Sequence, residues 1–223
     1  MRDKSCAGIT TLVLAASRRS DSLNRELGAL ALHAIEETGA EGALYTLADF
    51  SCPFFDGDLE KASGVPPGAR DFGEKLREVD AFVIVSPEYN ASMPGELKNL
   101  IDWTSRMRPQ PFNGRQALLM SASPSMVGGN RGLWSLRIPL EHLGARVYPD
   151  MFSLAQAHQS FGDDGRLTNE TLQKRFDDTV HCFLDLVEAA KHFPRVKKQW
   201  IEFLGEQPSV AIDRIEESEA TAA

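Results

Sequence analysis

A polar segment at residues 17–24 combines the side chains that proteins use to bind phosphate. The segment reads Ser-Arg-Arg-Ser-Asp-Ser-Leu-Asn, and it stands between a short apolar run and a stretch with helical periodicity. Backbone N–H groups at the start of a helix carry partial positive charge, and serine hydroxyls add neutral hydrogen-bond donors. The sequence therefore predicts a site for a dianionic phosphate, although a helix N-cap surrounded by surface charge would give the same composition.

Two further segments have a composition that suits ligand-binding loops. Residues 86–95 combine a proline, a tyrosine and an asparagine with a Pro-Gly pair at the start of a predicted helix, which would hold the backbone close to a flat ligand. A turn followed by a capped helix would explain the same residues without a ligand. Residues 121–131 form a third loop, rich in serine and glycine. The chain contains neither a Walker loop nor a G-x-G-x-x-G run, which argues against a nucleoside triphosphatase and a Rossmann dehydrogenase.

The three segments are predicted to follow strands of one parallel sheet. Short apolar runs alternate with longer stretches of helical periodicity, the pattern of βαβ units. In an open sheet of this class, ligands bind beyond the carboxyl ends of the strands. Because the polar segments follow the first, third and fourth strands, we expect them to line one cleft. The predicted strands are residues 11–16, 43–47, 81–86, 117–121 and 145–148.

Five helices are predicted around this sheet. The first begins after the polar segment and ends at Gly39, and the second and third carry apolar residues at helical spacing. The fourth spans about residues 131–143 and contains Pro139, which predicts a kink because proline removes a backbone donor. The fifth begins near Thr168, a good N-cap residue. Residues 53–68, rich in proline, glycine and aspartate, are predicted to be a loop.

The motifs in these loops resemble those of the NADPH-dependent FMN reductase family, flavodoxin-like proteins that include quinone, azo-dye and chromate reductases. The family's second motif, P-E-Y-N-x-S-x-P-G-x-L-K-N-x-I-D-W, is matched from Pro87 to Trp103 at every specified position. Its first motif, G-S-x-R-x-x-S-x-N, is matched except that Ala16 stands in place of the glycine. Its third, a serine-rich segment leading to G-G-x-R, is matched at residues 121–131.

This resemblance implies a fold and an activity. The fold would be a flavodoxin-like, three-layer, doubly wound α/β arrangement with a five-stranded parallel sheet of strand order 2-1-3-4-5. The activity would be that of an FMN-dependent NAD(P)H oxidoreductase, similar to the quinone reductases, that passes a hydride through N5 of the flavin to a small acceptor such as a quinone. The electron donor would be NADPH or NADH, and the kinetics ping-pong. Since family members form dimers or tetramers with the flavin near a subunit boundary, a homodimer or homotetramer is expected.

The resemblance also assigns site residues to the motif positions. The first loop would hold the FMN phosphate, with Arg18 as a further helper, and the other two loops would hold the isoalloxazine, partly through main chain. No side chain is expected to act as a catalytic acid or base, because the flavin carries the redox chemistry. Lys98, Asp102 and Trp103 suit an ion pair and a packing aromatic better than flavin contacts. The expected FMN-binding residues are Ser17, Arg19, Ser22 and Asn24 for the phosphate, and Pro87, Glu88, Tyr89, Asn90, Ser121 and Ser123 for the ring.

A second class of function is compatible with the same loops. A flavodoxin-type electron carrier, or an FMN-binding regulatory subunit, would bind FMN without oxidising a nicotinamide. The net charge of −8, from 24 basic and 32 acidic side chains, would let such a protein dock its partners through an acidic surface. The resemblance favours the enzyme, because it is to proteins that admit a nicotinamide to the face of the flavin.

Composition argues against several classes of partner. The acidic balance opposes sequence-independent binding of nucleic acid, which needs a basic surface. No run of 18 or more apolar residues predicts a membrane helix. The three cysteines form no C-x-x-C pair and have no ligand spacing for zinc, so no metal site is expected. The same cysteine usage favours a reducing compartment, and we expect a cytoplasmic protein.

The chain is predicted to consist of an FMN-binding domain at residues 1–190 and an extension at residues 191–223. Within the extension, a basic cluster precedes Trp200 and Phe203, which are predicted to lie on one short helix. This helix would dock on its own domain or on a second subunit, and the sequence leaves both alternatives open. From residue 213 onward, acidic and small residues are typical of a disordered tail.

Overall fold

A parallel β-sheet with the predicted strand order forms the centre of the molecule. The computed structural model describes residues 6–192. The strands run in the order β2-β1-β3-β4-β5, and a sixth strand also pairs with β4. Every strand pair is parallel. The strands are β1 (Thr10–Ala15), β2 (Glu41–Thr46), β3 (Ala81–Val85), β4 (Gln116–Ala122), β5 (Arg146–Val147) and β6 (Phe152–Leu154).

The sixth strand corrects the prediction of five. Two short strands share the position beside β4, because β5 pairs with its first two residues and β6 pairs with Met120, Ser121 and Ala122. The N–H of Tyr148 still donates to β4, at 2.8 Å from the carbonyl oxygen of Ala117. Pro149 follows and has no N–H to donate, so the ladder is interrupted before β6 resumes it. A three-residue strand is too short to show alternation in the sequence.

Six α-helices cover the two faces of the sheet within residues 6–192. Side chains alternate along the strands, so that Val13 packs towards α1 and α6, whereas Leu12 packs towards α3, α4 and α5. Both faces are therefore buried, as expected for a doubly wound parallel sheet. The helices are α1 (Leu23–Glu37), α2 (Gly57–Ser63), α3 (Pro67–Glu78), α4 (Gly95–Thr104), α5 (Asn130–His142) and α6 (Glu170–His192).

Two helix predictions need correction. The predicted loop at residues 53–68 contains α2, whose first turn is capped by the Asp56 carboxylate, 2.8 Å from the N–H of Asp58. No residue of α2 is buried, so the helix leaves no apolar periodicity in the sequence. At the last helix, Asn169 accepts from the N–H of Leu172 at 2.9 Å, so Asn169 is the cap in place of Thr168.

The last helix ends at His192, two residues beyond the predicted domain boundary. The ammonium of Lys191 donates to the carbonyl oxygen of Gly8 at 2.6 Å and to the Asp80 carboxylate at 3.0 Å, so this turn packs on the domain. The extension from residue 193, with its predicted short helix and acidic tail, lies outside the described residues. Within residues 6–192, no helix has the length and apolar character that a membrane span requires.

Candidate functional site

Three loops open at the same edge of the sheet. The first loop (residues 16–22) follows β1, the second (residues 86–94) follows β3, and the third (residues 123–129) follows β4. Because β1, β3 and β4 are neighbours and run parallel, their carboxyl ends lie side by side. The strand order reverses at β1, and this is where ligands bind in open α/β sheets. The structure thus brings the three predicted segments together.

The first loop leaves the start of α1 uncapped. Ser22 is the N-cap residue, yet its side chain makes no capping hydrogen bond. The first N–H groups of a helix have no acceptor within the helix, so they point outward with partial positive charge. Ser17 and Ser22 are both buried residues, and the Ser17 hydroxyl accepts from the N–H of Arg19 at 3.3 Å. Two serine hydroxyls beside free N–H groups form a donor set that fits a phosphate dianion.

The alanine that replaces the family's glycine is accommodated without backbone strain. Within the described residues, the only non-glycine residues with positive φ are Asn90, Ala91 and Gln156, so Ala16 is not among them. Its N–H donates to the carbonyl oxygen of Val85 at 2.8 Å, which continues the β1–β3 pairing into the loop. The substitution therefore leaves the backbone donors of the first loop in place.

Arg19 lies at the surface of the first loop and forms a two-point ion pair with Asp21. Its Nε is 3.1 Å from Oδ1 of Asp21, and its Nη2 is 2.8 Å from Oδ2. The hydrogen bonds and charge of Asp21 raise the pKa of Arg19, and Arg19 in turn lowers the pKa of the Asp21 carboxyl. The two side chains are 70% and 73% exposed. A carboxylate therefore fills the guanidinium fork that was predicted to meet the phosphate.

The side chain of Asn24, which was expected to hold the FMN phosphate, bonds the backbone of β4 in the structure. Its Nδ2 donates to the carbonyl oxygen of Ala122 at 2.9 Å, and its Oδ1 accepts from the N–H of Ala122 at 2.9 Å. The whole amide is buried in this contact. The side chain of Asn24 thus fastens the first turn of α1 to the end of β4.

The second loop presents its backbone through a tight turn. Tyr89 and Ser92 exchange two backbone hydrogen bonds, at 2.9 and 3.1 Å. Asn90 and Ala91 between them have φ values of 53° and 61°, as in a type I′ turn. Tyr89 is 53% exposed, so its ring is free to meet a ligand. The Glu88 carboxylate turns away from the cleft and accepts from the N–H of Gly132 at 3.0 Å, which caps α5.

The second half of the same motif holds a neighbouring loop. Oδ1 of Asn99 accepts from the N–H of Phe55 at 2.7 Å. Asn99 Nδ2 and Trp103 Nε1 each donate to the carbonyl oxygen of Pro53 at 2.8 Å. These contacts fix residues 51–55, the loop that follows β2. Burial raises the pKa of the Cys52 thiol in this loop, which disfavours the thiolate that a nucleophile would need.

Three other polar side chains near the cleft also have structural partners. Arg18, predicted as a further phosphate contact, donates to Ser51 Oγ at 2.8 Å and pairs with the Glu96 carboxylate at 2.5 Å. It therefore ties the first loop to the loop after β2 and to the start of α4. Lys98 and Asp102 form the expected ion pair, with Nζ 2.7 and 2.8 Å from the carboxylate oxygens.

Ser121 and Ser123, the two serines of the third motif segment that were expected to bind the ring, differ in their exposure. Ser121 is fully buried, and its hydroxyl has no hydrogen-bond partner among the described residues. Gly129 covers it so closely that a Cβ at this glycine would lie 1.9 Å from Ser121 Oγ. Ser123 is half-buried, and its hydroxyl donates to Ser125 Oγ at 3.0 Å. Ser123 is thus placed at the mouth of the cleft, whereas Ser121 lies beneath the third loop.

A groove of about 590 Å³ lies between α1 and residues 157–166. Leu23 and Leu30 of α1 and Phe161 line it, and His158 stands at its wall. Within residues 6–192, no three histidine, cysteine or carboxylate side chains are grouped closely enough to hold a metal ion.

Comparison with known proteins places these loops in a known family. The family model described as NADPH-dependent FMN reductase matches residues 9–159. An NAD(P)H-dependent FMN reductase of Pseudomonas aeruginosa is 36% identical over 165 residues, which are 73% of this chain and 86% of that protein. An NAD(P)H:quinone oxidoreductase of Solanum tuberosum is 35% identical over 170 residues, which are 73% of this chain and 84% of that protein.

The alignment to a further set of relatives is shorter, and a solved structure matches most of the chain. A quinone reductase of Escherichia coli is 42% identical over 105 residues, which are 47% of this chain. The chain thus spans about half the length (55%) of that relative. The flavoenzyme NAD(P)H:(acceptor) oxidoreductase FerB of Paracoccus denitrificans superposes with a TM-score of 0.69 at 26% identity, covering 81% of this chain and 98% of FerB.

Proposed function

Because the chain belongs to the NADPH-dependent FMN reductase family, we propose that it is an FMN-dependent NAD(P)H oxidoreductase that reduces a small acceptor such as a quinone. The observation that carries the proposal is the uncapped start of α1, with the two buried hydroxyls of Ser17 and Ser22 beside it. This donor set suits the dianionic end of FMN. When bound, FMN supplies the redox chemistry, taking a hydride from the nicotinamide and passing electrons to the acceptor.

The protein's part in the reaction is to bind and orient. We assign the phosphate to Ser17, Ser22, Arg19 and the N–H groups at the start of α1. Asn24 supports this site indirectly, because its amide holds α1 against Ala122. Each of these groups donates hydrogen bonds or positions a donor, and none of them is placed to transfer a proton.

We assign the isoalloxazine to the backbone of residues 87–90, the ring of Tyr89 and the hydroxyl of Ser123. The tight turn at residues 89–92 leaves main-chain groups exposed in a fixed direction. The Glu88 side chain supports this loop through α5 and does not act as an acid or base, since its carboxylate accepts from Gly132. Ser121 lies beneath Gly129, so we assign it to the packing of the third loop.

We also propose that the protein is a homo-oligomer. Exposed apolar side chains lie in the second and third loops and on α5, and Ser135 of α5 holds the second loop to this helix by accepting from the N–H of Met93 at 2.9 Å. Apolar surface of this kind marks interaction sites on soluble proteins. The face comprises Tyr89, Met126, Val127, Trp134 and Ile138, which are 41–75% exposed.

Sedimentation velocity tests the oligomer. Ile138→Glu places a charge in the middle of this face and should shift the protein to a smaller species. Leu186→Glu, on the exposed side of α6, is the matched control and should leave the sedimentation coefficient unchanged. A wild-type monomer at micromolar concentration would refute this part of the proposal.

A cytoplasmic location is also part of the proposal. It is supported by the three cysteines, none of which forms a disulfide in the structure. Cysteines outside disulfides at buried, half-buried and exposed positions are typical of proteins from reducing compartments.

An anaerobic stopped-flow experiment tests the enzymatic activity. The FMN-loaded protein is mixed with NADH or NADPH, and the bleaching of the flavin's visible absorbance is followed. Rapid two-electron bleaching by either nucleotide, followed by reoxidation with a quinone, is the expected result, and the two rates give the donor. Tight FMN binding without bleaching by either nucleotide would favour the electron carrier instead.

A further inference from the structure

The groove between α1 and residues 157–166 combines apolar and acidic side chains. Its volume of about 590 Å³ is in the range of pockets that bury a small ligand. Arg166 is the one lysine or arginine among the described residues that line it, and the Asp177 carboxylate already pairs with this guanidinium at 3.3 Å. The groove therefore suits an occupant that has basic and apolar side chains close together. Its larger apolar residues are Leu23, Leu30 and Phe161, and its acidic residues are Glu26, Asp163 and Asp164.

One segment of the chain beyond the described residues has this composition. Residues 195–204 read Arg-Val-Lys-Lys-Gln-Trp-Ile-Glu-Phe-Leu, with three basic side chains before four large apolar ones. They include one acidic side chain, so the segment carries a net charge of +2. Residues 205–223 have five acidic side chains and one basic one, which the acidic groove would repel. Charge therefore selects residues 195–204 over the rest of the extension.

The ends of α1 and α6 lie together at one edge of the sheet. The ammonium of Lys191, in the last turn of α6, donates to the carbonyl oxygen of Gly8 at 2.6 Å. Two residues before Gly8, the N–H of Cys6 donates to the carbonyl oxygen of Thr38, the C-cap residue of α1, at 2.9 Å. The same short segment thus contacts the ends of both helices. The chain beyond α6 therefore starts beside the end of α1.

This starting point is within reach of the groove. The groove extends along α1 to His33, whose Nε2 lies 3.3 Å from Oε1 of Glu37 in the last turn of that helix. An extended chain covers about 3.3 Å per residue, so residues 193–199 span about 23 Å, which is about the length of α1. Trp200 can therefore enter the groove from the His33 end without any change in the described fold.

We propose that residues 195–204 dock in the groove of their own chain. Trp200 and Phe203 pack against its apolar wall, and the basic cluster of residues 195–198 lies along its acidic side chains. Burial of two aromatic side chains supplies most of the attraction, and the charges set the orientation. Because the segment is tethered to α6, docking is intramolecular and has a high effective concentration. The inference is independent of the proposed function, since FMN takes no part in this contact.

Hydrogen-exchange mass spectrometry of the full chain tests the docking. Trp200→Ser combined with Phe203→Ser removes the two aromatic anchors. The amides of residues 157–166 should then exchange about tenfold faster than in wild type, because the docked segment no longer covers them. Ile212→Ser combined with Ile215→Ser, further along the extension, is the matched control and should leave these rates unchanged. Equal rates at residues 157–166 in wild type and the Trp200 and Phe203 variant would overturn the proposal.

Charge reversal tests the electrostatic part of the contact. Lys197→Glu combined with Lys198→Glu should raise exchange at residues 157–166 about threefold at low ionic strength, because like charges then meet in the groove. The difference from wild type should shrink at high salt, where exposed charges are screened. Exchange rates that respond neither to charge reversal nor to salt would overturn the pairing of opposite charges on which the choice of segment rests.

A disulfide experiment distinguishes docking within one chain from docking on a second copy. Ala29 lines the groove at an exposed position of α1, and Ala29→Cys is combined with Phe203→Cys in a chain that also carries Cys52→Ser and Cys182→Ser. Mild oxidation should give a cross-linked species that runs as a single chain on a denaturing gel. Ala29→Cys with Ile215→Cys is the control pair and should stay reduced. A disulfide that joins two chains would overturn the proposal and assign the groove to the extension of a neighbouring subunit.

Discussion

The second motif, residues 87–103, divides into two halves that the structure uses differently. Residues 87–94 form an exposed turn in which Asn90 and Ala91 have positive φ. Residues 95–103 belong to α4, where the buried side chains of Asn99 and Trp103 bond to the loop after β2. A motif matched at every position is therefore not a row of ligand contacts. Its first half presents backbone to the cleft, and its second half fixes the wall beside it.

The largest effect is expected when Trp103, which holds the loop after β2 against α4, is truncated. Trp103 is fully buried, and its ring lies 4.8 Å from that of Phe55. Trp103→Ala should lower the free energy of unfolding by about 3–5 kcal/mol, because it leaves a large cavity and removes one of the two hydrogen bonds to the carbonyl oxygen of Pro53. Urea denaturation measures the loss. Leu186→Ala, at an exposed position of α6 outside the proposed interface, is the control and should change stability by less than about 0.5 kcal/mol.

A milder variant separates packing from hydrogen bonding at the same site. Trp103→Phe keeps most of the ring and removes the bond to Pro53, so about 1 kcal/mol should be lost. A loss below 1 kcal/mol for Trp103→Ala would show that this half of the motif does not support the fold.

The second test asks whether Asn24, a residue of the first motif, stabilises the fold in the way that Asn99 and Trp103 do. Asn24→Ala leaves the N–H and the C=O of Ala122 without partners in a buried position. The free energy of unfolding should fall by about 2–3 kcal/mol, and FMN affinity should fall with it. Ser22→Ala should lower FMN affinity with little change in stability, because its hydroxyl makes no capping bond. If Asn24→Ala weakened FMN alone, the amide would be a ligand contact and not an anchor.

The third test concerns Arg19, whose side chain we propose as a contact to the FMN phosphate. Arg19→Ala should weaken FMN binding by about tenfold, because a charge-assisted contact to the phosphate is lost. Thermal stability should stay within about 1 °C of wild type, since the pair with Asp21 is exposed. Equilibrium dialysis against FMN and a thermal melt of the apoprotein give the two numbers. FMN retention equal to that of wild type would remove Arg19 from the site.

Most of the scaffold could be predicted from the sequence, because it depends on regular patterns. The apolar runs of β1, β3 and β4 are buried on both faces, and the order of the strands follows from the resemblance. The elements that were missed, α2 and β6, are short or exposed, so they leave no periodic signal. Local pattern cannot reveal an element whose residues bury little apolar surface.

The side-chain partners at the site could not be predicted in the same way. The resemblance assigned Asn24, Glu88 and Ser121 to FMN, and their residue types are suited to binding it. In the structure, Asn24 bonds the backbone of Ala122 and Glu88 bonds the N–H of Gly132, 98 and 44 positions away in the chain. Ser121 lies under Gly129 without a hydrogen-bond partner among the described residues. Such contacts depend on how the loops close over the sheet edge. A polar residue in a ligand loop serves the loop's own backbone as readily as it serves the ligand.

The smallest predicted change in stability concerns the turn in the first half of the second motif, residues 87–94. Ala91 has a φ of 61°, a conformation that costs an alanine about 1 kcal/mol relative to glycine. Ala91→Gly should therefore raise the free energy of unfolding by about 0.5 kcal/mol, after the extra chain entropy of glycine is subtracted. Urea denaturation of both proteins in parallel measures the gain, and Ala29→Gly on the exposed side of α1 should destabilise in the same assay. A turn that holds a flavin needs one shape, so the gain in stability should come with slightly weaker FMN binding. A lower free energy of unfolding for Ala91→Gly than for wild type would show that the positive φ of Ala91 costs the fold no measurable strain.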